Sequence, residues 1–283
     1  MKPESIIVPL DGTPGALAAV PVAAALTTML DAALHVLHVG ERVLPSADRL
    51  RELGLTPEML EGSVLDQRTG PPAEAILRFA RERPEPLIVI CTHTDVEKHR
   101  GALGHVAEEV LVDACCPVIL VQPERGLRRW TLRRILLPHD GTPATAAAMD
   151  PAGDIAELTG AEVLVLHVAA PGAPPPTEPG TFTVPRYVDQ PQHEWPAWAA
   201  EFIARMSALG HPPSEVRFTL SVATGDPGAE IVRAARERDA DLVVIAWHGV
   251  WEPERALTMR RVIREVGCPI LVVQTGDRGT PAA

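Results

Sequence analysis

Asp11 closes an apolar run, Ser5-Ile-Ile-Val-Pro-Leu, and Gly-Thr-Pro follows it; Asp140 closes a second run, Arg134-Ile-Leu-Leu-Pro-His, and the same three residues follow. An apolar run that stops at Asp-Gly reads as a buried parallel strand ending in a tight turn. Each Asp then sits at a strand's carboxyl end, where open α/β sheets bind ligands. Asp-Gly also suits turns that bind nothing, and Asp140 is read as such a turn-former.

The other reactive residue types are less demanding. His35 and His38 lie three apart in Ala33-Leu-His-Val-Leu-His-Val39, so on a strand they face opposite ways and cannot share a metal. His38 and its counterpart His167 are read as structural. The four cysteines, Cys91, Cys115, Cys116 and Cys268, show neither C-x-x-C spacing nor a disulfide framework. Cys116 and Cys268 each precede a Pro and an apolar strand, which suits small buried side chains. A cytoplasmic, reduced setting fits this usage.

The elements that position these residues recur in both halves. After Asp11-Gly-Thr an alanine-rich helical stretch runs from Gly15 to Asp31, and Pro21 must either start or kink its helix; Pro151 raises the same alternative. Strands follow at Ala33–Val39, Ser63–Gln67, Leu87–Cys91 and Pro117–Gln122, and in the second half near 133–138, 162–168, 215–222, 242–247 and 269–274. Gly70-Pro-Pro-Ala-Glu74 and Gly225-Asp-Pro-Gly-Ala-Glu230 open matching helices. Strands alternating with helices predict two doubly wound, Rossmann-like five-stranded parallel sheets of order 3-2-1-4-5. The reversal between strands 1 and 4 places the Asp11 turn beside the segment from Thr92 to His105.

The expected organisation is a first domain at 1–124, a linker at 125–132, a second domain at 133–276 and a disordered tail at 277–283. A tract from Ala169 to about Trp195 is rich in Pro and interrupts the second domain; it reads as an extended loop whose Phe182, Tyr187, Trp195 and Trp198 cover an apolar patch. Exposed fifth strands at 117–122 and 269–274 invite pairing of the two domains as an internal pseudo-dimer. Association of two chains into a homodimer stays open. A formal net charge of −11 argues against general nucleic-acid binding, with Arg125, Arg128, Arg129, Arg133 and Arg134 reading as a solvated linker. No signal-peptide pattern and no membrane-length apolar run occurs, so no membrane partner is expected.

The order of these motifs, namely the strand into Asp-Gly-Thr, Leu-His-Val, Gly-x-Pro-x-x-x-Ile, Gly104-His-Val-Ala and Cys-Pro-Val-Ile-Leu-Val, resembles two universal stress protein domains in tandem. That resemblance implies an α/β sheet, dimerisation through the fifth strand and, in many members, adenine-nucleotide binding. Binding members resemble Gly-x-x-Gly, nine residues, then Gly-Ser or Gly-Thr, in which glycine amides and a helix N-terminus hold phosphate. Carried onto this chain, the pattern implies an ATP site of Asp11, Val39, Thr94, Gly101, Gly104 and His105. Cys91 and Thr94 stand where glycines would be, and His105 where a hydroxyl would be. His93, His99, Arg100 and His105 offer substitute phosphate contacts. In the second half Trp247 and Leu257 would obstruct a phosphate.

The expected function is therefore a non-catalytic stress-response or signalling module with degenerate nucleotide loops. One alternative is an ATP-binding regulator that uses only the first domain; another is a weak nucleotide hydrolase. No Walker loop and no Ser/His/Asp order recommends an enzyme.

Overall fold

The computed structural model describes residues 2–56, 62–92, 103–123, 130–169, 179–182, 195–247 and 256–275. By internal contacts the chain divides into two compact units. One comprises Met1–Thr131 with Ile263–Val272, the other Leu132–Val262 with Val273–Ala283.

The first repeat runs β1 (Ser5–Pro9), a 3-10 turn (Ala16–Ala18), α1 (Ala19–Leu30), β2 (Ala33–Gly40), α2 (Ser46–Glu52), β3 (Ser63–Thr69), α3 (Pro72–Arg81), β4 (Pro86–Cys91), α4 (His105–Asp113) and β5 (Val118–Val121). The second runs β6 (Arg134–Pro138), α5 (Pro143–Ala146), α6 (Met149–Thr159), β7 (Glu162–Ala169), α7 (Trp195–Gly210), β8 (Phe218–Thr224), α8 (Pro227–Glu237), β9 (Leu242–Trp247), α9 (Leu257–Glu265) and β10 (Ile270–Gln274).

Proline and left-handed residues set the helix limits. Pro21 and Pro151 fall in the first turns of α1 and α6, where an absent N–H costs no intrahelical bond, so each helix starts there and is not kinked. α1 stops at Asp31 with φ 53° and α6 at Gly160 with φ 73°, the left-handed closure that ends a helix.

β1 pairs in parallel with β2 and β4, β2 with β3, and β4 with β5, which is the order 3-2-1-4-5. Ile6, Ile7, Val8 and Leu87–Val89 are almost wholly buried, as strands covered on both faces must be, and Ala19, Val22, Ala23 and Leu26 of α1 close one face. β6, β7, β8 and β9 repeat the pattern around Ile135, Leu136, Leu137 and Val165.

Two separate five-stranded sheets are not what forms. Ile270, Leu271 and Val272 pair antiparallel with Leu120, Ile119 and Val118, so the first unit's sheet has six strands in the order β3-β2-β1-β4-β5-β10, and the second unit orders its strands β9-β6-β7-β8. The physical reason is the unpaired N–H and C=O row that a β5 edge would otherwise present to water.

α7 has no counterpart among the sequence expectations, which carried Trp195 and Trp198 as loop residues; both are helical. Of the proline-rich tract between β7 and α7, only 179–182 lies among the described residues. Tyr187, residues 124–129 of the linker and the tail from 277 lie outside them.

Candidate functional site

In the first unit the carboxyl ends of β1, β2 and β4 meet the start of α4 around a cavity of about 240 Å³. Asp11, Val39, Gly104 and His105 line it together, and Ala16, Leu37, Ile76, Ile90 and Val106 supply apolar wall. Thr94 and Gly101 lie outside the described residues, as do His93, His99 and Arg100.

Local chemistry holds each wall in place. Asp11 Oδ1 accepts from the Thr13 amide at 2.9 Å and the Thr13 hydroxyl at 2.7 Å, a self-closing turn that leaves the residue exposed. Gly12, with φ +90°, takes the left-handed conformation this turn requires. His38 Nδ1 donates to the Leu10 carbonyl at 2.8 Å, tying the end of β2 to the turn. The Gly104 amide donates to Thr92 O at 2.6 Å, so it closes the loop itself and is not left for an anion. The His105 side chain, 86% exposed, lies 3.1 Å from Glu109 one turn along.

Cys91 forms part of the floor. Its thiol donates to Gly15 O at 3.1 Å, and burial, with a smaller push from the Asp11 charge against a lowering contact from the Ala19 backbone, raises its pKa to about 12. A thiol so held stays neutral and does not act as a nucleophile at ordinary pH.

The second unit builds its turn differently. Asp140 Oδ1 accepts from the Thr142 amide (2.9 Å), the Thr142 hydroxyl (2.7 Å) and the Thr145 hydroxyl (2.6 Å). Desolvation works to raise its pKa, but these bonds and the His139 ring outweigh it and hold the carboxyl below its usual range. His139 replaces Leu10 and is buried. Its Nδ1 accepts from the Gly141 amide at 3.0 Å and lies 2.9 Å from the Thr145 hydroxyl. Burial lowers its pKa to about 4, with Asp140 raising it and His167 lowering it further. His167 Nδ1 donates to His139 O at 2.9 Å, matching His38, so both residues serve structure as expected.

Over this turn lie Phe182, Trp198 and Phe202. Phe182 stacks on Trp198 at 5.9 Å, and Phe202 meets His139 edge-on at 5.4 Å. Trp247 is buried, whereas Leu257 stands 67% exposed at the start of α9 and does not fill the crevice expected of it. The sequence flagged the aromatic cover but not His139, whose signal was its departure from Leu10 at an otherwise repeated position.

A larger hollow of about 880 Å³ lies at the amino ends of β6, β7 and β8. Its rim holds mixed charge, with Arg134 3.5 Å from Asp239 and 4.0 Å from Glu162. It lies at the wrong end of the strands for the binding geometry of this fold. Among the described residues no group of three or more His, Cys, Asp or Glu could hold a metal ion, and no helix is long and apolar enough to cross a membrane.

Doubly wound parallel strands, with an Asp-Gly-Thr turn repeated at the carboxyl end of each leading strand, define a tandem Rossmann-like α/β protein. A family model described as the universal stress protein family matches residues 131–274, and the chain belongs to that family. A universal stress protein from Archaeoglobus fulgidus superposes with a TM-score of 0.69 at 16% identity, covering 98% of this chain and 100% of that one. A functionally unknown protein from Pseudomonas aeruginosa gives 0.63 at 21% identity, covering 97% of this chain and 93% of its own. At such identities the likeness is one of fold, spanning both repeats.

Proposed function

We propose that the protein is a non-catalytic stress-response module that binds an adenine nucleotide in its first unit alone. The observation that carries this reading is the single cavity shared by Asp11, Val39, Gly104 and His105. About 240 Å³ of largely apolar wall falls a little below the usual ~300–1,000 Å³ of ligand sites, which suits a nucleoside-sized group with its phosphates outside. Asp11 Oδ2 accepts no hydrogen bond from the described residues, which leaves it for a ribose hydroxyl.

Binding of this kind is modest in strength. Cys91 fills a position where a glycine would let the backbone approach phosphate, and the Gly104 amide is already committed to Thr92. Catalysis has little support: the Cys91 thiol is neutral, and His105 is exposed beside Glu109.

Calorimetry and thermal shift with ATP, ADP and adenosine test the reading. One site per chain is expected, lost on Asp11→Ala and unchanged on Asp140→Ala, with no phosphate released from ATP. A ligand at 100 times its Kd stabilises by about 2.7 kcal/mol, well within detection. Absence of both heat and shift at millimolar ATP would overturn it, and so would two equivalent sites.

A further inference from the structure

The second unit's turn is covered, and what covers it stands apart from nucleotide binding in the first. Gly12 and Thr13 are exposed and half-exposed, but their counterparts Gly141 and Thr142 are buried. The cover is specific. The Phe182 amide donates to Gly141 O at 2.8 Å, its ring stacks on Trp198, and the Arg205 guanidinium lies over the ring 4.3 Å from its centre. A Cβ on Gly180 would stand 3.3 Å from Pro143 Cγ, so the segment lies close against α5.

Beneath it His139 is only 2% exposed. A backbone amide can only donate, so the Gly141 N–H makes Nδ1 an acceptor, and the neutral ring carries its proton on Nε2. Nε2 has no partner among the described residues. Buried donors are normally satisfied, so this ring is held in place by packing and by its contacts at Nδ1 and not by a full set of bonds.

We propose that the segment Gly180–Phe182 is a latch over the second unit's turn, closed while His139 is neutral and released when His139 takes up a proton. The proton adds to the Nδ1 lone pair; no other bond is made or broken. An imidazolium donates from both nitrogens, so Nδ1 can no longer accept from the Gly141 amide. Gly141 must then turn, and its φ of +87° lies where only glycine moves freely. The same residue's carbonyl holds the Phe182 amide, so one glycine couples the ring to the latch.

The titratable groups acting on His139 are Asp140, which favours its charge, and His167 on β7, which opposes it. α5 presents the uncharged Thr145, and α7 presents Phe202, while Glu201 and Arg205 of α7 pair with one another. The sign follows from linkage. A histidine whose pKa falls from 6.5 to about 4 on closing favours the closed form fully above 6.5, and loses that preference as pH falls towards 4. The open-to-closed ratio rises up to tenfold per pH unit, or about 300-fold across the window.

Acrylamide quenching of Trp198, isolated by subtracting the emission of Trp198→Phe, tests the latch on the full chain. Quenching is expected to rise between pH 6.5 and 4 while far-UV circular dichroism stays constant. His139→Leu, which installs the first repeat's own residue, is expected to reduce that rise at least tenfold. Phe182→Ala is expected to leave Trp198 quenchable already at pH 7. A His139→Leu profile equal to that of the parent, a Phe182→Ala variant as protected as the parent, or loss of secondary structure over the same window would each overturn the proposal.

Discussion

His38 donates from Nδ1 to the carbonyl of Leu10 at 2.8 Å, and its Nε2 occupies space 2.7 Å from where a Cβ on Gly40 would have to be. The bond fastens β2 to the turn that carries Asp11, and the close approach explains a glycine as the last residue of β2.

His38→Ala is therefore expected to leave the Leu10 carbonyl unsatisfied and to cost about 1–3 kcal/mol in urea denaturation. Gly40→Ala should cost a similar ~1–3 kcal/mol by pushing the ring aside. Because both act through one contact, the double variant is expected to fall short of the sum. Full additivity would mean that Gly40 serves some other purpose.

Cys91 and Cys115 should separate cleanly under alkylation. With its pKa pushed to about 12 by burial, the Cys91 thiol gains no nucleophilic form as pH rises through 9, whereas Cys115 is exposed. Iodoacetamide at pH 8, followed by mass spectrometry of the native protein, is expected to modify Cys115 and spare Cys91. Comparable labelling of the two would contradict the buried thiol contact with Gly15.

The two repeated aspartates should respond to substitution in opposite ways. Asp11→Ala loses ligand and little stability, since among the described residues only Thr13 bonds to that carboxylate. Asp140→Ala breaks three contacts and is expected to cost about 0.5–1.5 kcal/mol at neutral pH. A carboxyl held below its usual 3.8 contributes above that value and less as pH falls through its depressed one. The stability gap between parent and Asp140→Ala should accordingly narrow in acid, which melts at several pH values would reveal.

Arg49 is buried although charged. Its guanidinium reaches Gln67 Oε1 at 3.0 Å, Glu52 at 2.7 Å and the Arg42 carbonyl at 2.8 Å, and Gln67 in turn holds both the amide and the carbonyl of Leu44. Lysine cannot reproduce that fork, so Arg49→Lys is expected to cost about 1.5–3 kcal/mol and to speed hydrogen exchange at Leu44. Unchanged exchange there would show that the loop after β2 is held by other means.

The strands and their order were legible because the central ones are apolar runs marked off by Asp-Gly or Cys-Pro, and because the more polar β3 and β8 recur at matching places before Gly-Pro and Gly-Asp-Pro in the two halves. The nearness of the Asp11 turn to the segment ending at His105 followed from topology, since a 3-2-1-4-5 order leaves one reversal, whereas Val39 and Gly104 came from the family resemblance. What stayed hidden depends on side chains meeting across long separations. Nothing local announces that Phe182 will lie on Trp198, that Gln67 will bridge Arg49 to Leu44, or that the Gly104 amide will turn back to Thr92. The pairing of β5 with β10, by contrast, was legible, since two fifth strands left exposed at 117–122 and 269–274 invite it.

Ile263–Val272 belongs by its contacts with Met1–Thr131, so the repeated stretch of sequence and the compact unit are different objects. A plasmid encoding the amino-terminal copy alone would yield a polypeptide whose Val118–Leu120 row keeps β4 on one side and is bare on the side that β10 occupied, a polypeptide prone to clump. Dissecting the copies is therefore better done by silencing one inside the intact chain than by severing them.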